Sequence, residues 1–101
     1  MDKDMQKEME KEYREKTPMP KVDFITFVMS LSSSALANLG EVPDPITNKT
    51  EVNLELARHT IDVLGMLEEK TKGNLSKEEE EYLKSLLFEL RMKYVQKCCK
   101  G

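Results

Sequence analysis

The chain has no tryptophan, one histidine and only four glycines, Gly40, Gly65, Gly73 and Gly101, no two of them close together. So scattered a set builds no phosphate-cradling loop, and neither G-x-x-x-x-G-K-S/T nor G-x-G-x-x-G occurs. The two cysteines, Cys98 and Cys99, are adjacent rather than spaced as C-x-x-C, and no second cluster accompanies them. No metal-ligand set is therefore expected, and in a reducing compartment both should be free thiols. No apolar run approaches the roughly 20 residues that cross a bilayer. The N-terminus is charged from Asp2 onward with no apolar core behind it, which predicts a cytoplasmic address rather than secretion. An excess of basic charge is missing too. The net charge is −3, so a fold-wide surface for phosphate backbones is disfavoured.

What is present is unevenly distributed. Residues 1–16, MDKDMQKEMEKEYREK, hold eleven of the 35 charged side chains in a 101-residue chain. Their signs alternate with helix-compatible spacing, and Met1, Met5, Met9 and Tyr13 make a thin stripe. Pairs of that kind add only about 0.2–0.5 kcal/mol each, and short isolated helices are marginal. The reading is a flexible charged arm, with a helix ordered by a partner as the alternative. TPMPK at 17–21 then breaks any continuous helix. The organisation expected is an arm and linker over 1–20, a helical domain over 21–97, and a tail over 98–101.

The first helix of that domain is expected at about 23–39, with Asp23 as N-cap and Gly40 just past its end. Residues 24–40 contain no charge at all. Phe24, Phe27, Val28, Leu31, Ala35 and Leu39 share one face, widened by Ile25, Met29 and Leu36. The remainder carries small residues, Ser30, Ser33, Ser34 and Ala37. A helix with no charged face is normally buried on most sides. A loop follows, punctuated by Pro43 and Pro45. Its Asn48-Lys49-Thr50 glycosylation triplet is read as coincidence without a secretory route.

A second helix is predicted at 53–72, with Ala57, Ile61 and Leu64 together and Leu56, Val63 and Leu67 on the adjacent arc. Gly65 inside it costs about 1 kcal/mol relative to alanine, either because another helix approaches closely or because the cost is simply tolerated. The third, at 77–97, opens on a capping box of Ser76 and Glu79. Its main stripe is Leu83, Leu86, Leu87, Leu90 and Tyr94. A second stripe, Phe88, Met92 and Val95 with Cys99 in line, lies roughly 120–180° away.

These features predict an all-α, three-helix bundle-like domain completed by homodimerisation, since an uncharged helix and a two-striped helix leave a monomer with uncovered apolar surface. The candidate interface is Phe24, Phe27, Ser30, Ser34, Phe88, Met92 and Val95. No catalytic residue, cofactor or metal is assigned. His59 and Asp62 are i,i+3 neighbours, but no nucleophile pattern joins them, and an exposed helix position is the plainer reading. The run 78–81 of glutamates reads as a solvated first turn. The terminal CCKG is a poor prenylation box. Arg91, Lys93, Lys97 and Lys100 form the one basic cluster, and a helix-dipole role explains it without nucleic acid. Membrane association through the first helix lacks the usual basic polar face. The function expected is a non-enzymatic interaction or scaffold module. Peripheral membrane or nucleic-acid association is the alternative.

The strings FITFVMSLSSSALANLGEVPDP and NLELARHTIDVLGMLEEKTKGNLSKEEEEYLKSLLFELRMKYV resemble the bacterial proteins grouped as domain-of-unknown-function family 1844. The combination is specific: a serine-rich apolar segment, the PDP loop, then the GMLEEKTKGNL stretch between two helices. The resemblance covers about residues 24–95, without the arm or the cysteine tail. It implies a short helical cytosolic protein, and no site residue can be carried over from it.

Overall fold

A computed structural model describes residues 2–16 and 22–99. The TPMPK segment, Met1 and the last two residues, Lys100 included, lie outside the described residues. Four helices follow in order, α1 Lys3–Lys16, α2 Phe24–Asn38, α3 Leu54–Lys70 and α4 Lys77–Cys98. The described residues form no strand beyond an isolated antiparallel bridge between Leu39 and Val52.

The segment expected as a flexible charged arm, with a helix as the alternative, is the helix α1. Asp2 starts it: its carboxylate accepts from the Met5 amide at 2.8 Å. Lys, Glu, Gln and Met, the residues that lose least on entering a helix, make up nearly all of it. Among the described residues, α1 packs against none of the other three helices, which all pack on one another.

Local chemistry sets the ends of α2, α3 and α4. Asp23 caps α2 through the Thr26 amide at 3.3 Å, and Asn53 caps α3 through the Leu56 amide at 3.1 Å. The capping box of α4 is complete: Glu79 N–H donates to Ser76 Oγ at 3.2 Å, and Ser76 N–H donates to the Glu79 carboxylate at 2.8 Å. Helix α2 ends in a Schellman motif. The amide of Gly40 donates to Ala37 O at 3.1 Å, and that of Glu41 to Leu36 O at 3.0 Å. This requires a left-handed residue at position 40, and Gly40 supplies φ +77°. The loop then folds back. Asp44 accepts from the Ile46 and Thr47 amides at 2.7 and 3.2 Å, and Asn53 N–H reaches Asn38 O at 2.7 Å.

The core is small and mostly leucine. Val28, Ala35 and Leu39 from α2 and its cap meet Ala57, Ile61 and Leu64 from α3 and Leu83, Leu87 and Leu90 from α4. Each fully buried leucine contributes about 1.5–3 kcal/mol. Lys72 lies near Glu80 and Gly65 near Arg91, so α3 and α4 run antiparallel. Glu41, just past α2, pairs with Lys93 near the end of α4 at 4.0 Å, which places the C-terminal ends of α2 and α4 side by side. The result is an up-down-up bundle.

Candidate interaction surface

The second stripe of α4 faces outward. Phe88 is 68 % exposed, Val95 56 % and Met92 48 %. With Glu68, Lys84 and Arg91 they line an open hollow of about 600 Å³. Arg91 bends back across α3, where its guanidinium Nη2 lies 3.0 Å from the position a Cβ on Gly65 would take. A side chain, not a neighbouring helix backbone, thus occupies the space beside Gly65. Lys84 holds Glu80 at 2.9 Å. That contact lowers the Glu80 carboxyl and raises the Lys84 ammonium relative to their ordinary values. Both groups stay ionised at neutral pH, so Glu80 offsets the Lys84 charge, and Arg91 is the cation of the hollow's lining with no ion pair among the described residues.

Helix α2 divides differently from its sequence pattern. Phe24 is half-buried and packs against the chain's own core. Phe27, Ser30 and Ser34 are exposed, and Met29 and Ser33 are exposed beside them. Among the four serines of this helix, Ser32 is the buried one. Ser30 donates its hydroxyl to Phe27 O at 2.7 Å, so its hydrogen bond is met within its own turn. A close-packed partner would meet methylene and helix backbone there rather than an unsatisfied donor. The structure therefore separates the seven candidate residues into one core residue, Phe24, and two exposed groups on different helices.

The other singled-out residues take ordinary positions. His59 is exposed, and Asp62 pairs with Arg58 at 3.8 Å instead. Lys93 is shared between Glu41 and Glu89, each at 4.0 Å, which offsets the charge of that one member of the basic cluster. Cys98 and Cys99 are exposed free thiols. The neighbouring Cys99 thiol, through hydrogen bonding, pushes the Cys98 thiol above its ordinary range, so it is mostly protonated at neutral pH. A smaller hollow of about 280 Å³ at the α3–α4 turn is lined by Glu68, Glu69 and Glu80 with Lys72 and Lys84, charges that largely cancel. Among the described residues, no helix is long and apolar enough to cross a membrane.

Sequence reasoning missed the apolar exposure on α3, where Leu56 and Met66 face solvent. Leu56 could have been found from its place on the arc adjacent to the core stripe, which a three-helix packing need not cover.

No curated protein and no solved structure matches the chain. A family model, described as Domain of unknown function (DUF1844), matches residues 21–96, which takes in α2, α3 and all but the last two residues of α4, and leaves out α1. By that match over most of its length, the chain belongs to the domain of unknown function family DUF1844.

Proposed function

We propose that the chain is a non-enzymatic, homodimeric interaction module of the bacterial cytoplasm, with the outer face of α4 at the centre of its interface. The observation that carries this reading is the exposed line of Phe88, Met92 and Val95 on a helix whose opposite side already fills the core. Large apolar side chains grouped on one surface mark an interaction site more often than a solvated one. The exposed Phe27, Ser30 and Ser34 of α2 provide a second surface of low charge and small side chains, suited to close helix approach.

Sedimentation velocity at micromolar concentration tests the reading. The expected result is a dimer for the native chain and a monomer for the Phe88→Glu, Met92→Glu double variant, with unchanged helical circular dichroism. Both substituted positions are exposed, so loss of folding would not be the cause. A native chain that sediments as a monomer throughout ends the proposal.

A further inference from the structure

Helix α1 carries a pattern that fits the α4 hollow. At 100° per residue, Met5, Met9 and Tyr13 form one stripe, and all three are exposed. Asp4, Glu8, Glu12 and Glu15 border that stripe on one side, and Gln6 and Glu10 on the other. The bases Lys3, Lys7, Lys11 and Arg14 gather on the opposite face. The α4 stripe has Lys84 and Arg91 along its α3 side and Ser85 and Gln96 along the other, with Glu81 in line one turn before Ser85 and Glu89 beyond Gln96. Glu68, on α3, also lines the hollow and is near enough to act on Lys84. The lengths agree as well. At 1.5 Å per residue, Met5 to Tyr13 spans about 12 Å and Phe88 to Val95 about 11 Å.

We infer that the occupant of the α4 hollow is α1 of a second copy, its methionine–tyrosine stripe on Phe88, Met92 and Val95 and its acidic border against Lys84 and Arg91. The inference rests on the dimer reading and names what lies at its interface. The occupant belongs to another chain because, among the described residues, α1 packs against none of its own chain's helices. Exchange of two arms into two hollows also closes a two-fold assembly with no site left over. The Lys84–Glu80 contact does not stand in the way. It is an exposed i,i+4 pair, and such pairs are weak enough to yield to a competing carboxylate.

A charge swap between full-length chains tests this. One variant carries Lys84→Glu with Arg91→Glu, the other Glu8→Lys with Glu12→Lys, and self-association is followed by sedimentation equilibrium. Each variant alone places like charges across the interface and is expected to dimerise about tenfold or more weakly than the native chain, a change of about 1.4 kcal/mol. An equimolar mixture restores an opposite-sign match in both hollows, so a heterodimer of near-native affinity is expected. Weakened variants whose mixture does not recover would overturn exchange between chains. A native dimer unaffected by either variant would overturn the arm as occupant while leaving the dimer reading intact. A native chain that is monomeric would remove the dimer reading itself.

Discussion

Leu64 and Gly65 are neighbours on α3 that should respond in opposite directions to the same replacement. Leu64 is fully buried among Leu83, Leu87 and Ala57 in the central cluster. Leu64→Ala leaves a cavity in a core with few other residues to close it, and should cost about 2–5 kcal/mol in urea denaturation. Gly65→Ala removes a helix-interior glycine, a gain of about 1 kcal/mol. The new methyl meets the Arg91 guanidinium at 3.0 Å, which is the far end of a long, exposed side chain and can move aside. The expected outcome is a small net stabilisation, read as a raised urea midpoint. A destabilised Gly65→Ala would show that Arg91 is held in place. The sequence revealed that Gly65 carried a cost. It could not reveal what stood next to it, because Arg91 lies 26 positions away and only the antiparallel pairing of α3 with α4 brings the two together.

At the scale of the element, the caps were the most legible part of the chain. Asp23, Ser76 with Glu79, and Gly40 act through backbone groups at most four residues away, so their effect is written in local order. Ser76→Ala deletes the acceptor for the Glu79 amide and should cost about 1 kcal/mol in the same denaturation assay. Glu79 would keep its own contact with the residue 76 amide, which limits the loss. The faces of α2 were less legible. Its lack of charge identified it as a helix with little use for water, but an uncharged helix gives no sign of which side its neighbours take. Ser32 is buried while Ser33 and Ser34 are exposed because α3 and α4 approach from one direction only. The α4 stripe was legible in full, since leucines on one side and Phe88, Met92 and Val95 on the other obey the same helical period. For α1 the alternating charges and the methionine stripe left a helix as the alternative to a flexible arm, because pairs within one short helix contribute little on their own.

For the whole molecule, the division between α1 and the bundle leads to a further expectation. Because α1 touches none of the other helices among the described residues, deleting residues 2–16 should leave the stability of the monomer within about 0.5 kcal/mol of the intact chain. Thermal unfolding followed by circular dichroism, at a dilution where both forms are monomeric, measures this. A larger loss would place α1 on the bundle. At higher concentration the two should diverge, since any gain from association adds to apparent stability by mass action, and the truncated chain lacks the arm that is proposed to supply it.

The sequence by itself determined the all-helical class, the start of each bundle helix and the leucine stripe of the core. All of these depend on contacts within a few residues or on the 3.6-residue period, which are properties of linear order. The tertiary structure decided that Phe24 turns inward, that Arg91 covers Gly65, that Lys84 and Arg91 edge the exposed α4 stripe, and that α1, among the described residues, packs on none of the other helices. Those outcomes depend on which helix lies beside which and in what direction. Packing of a shared core selects that arrangement, and no local pattern encodes it.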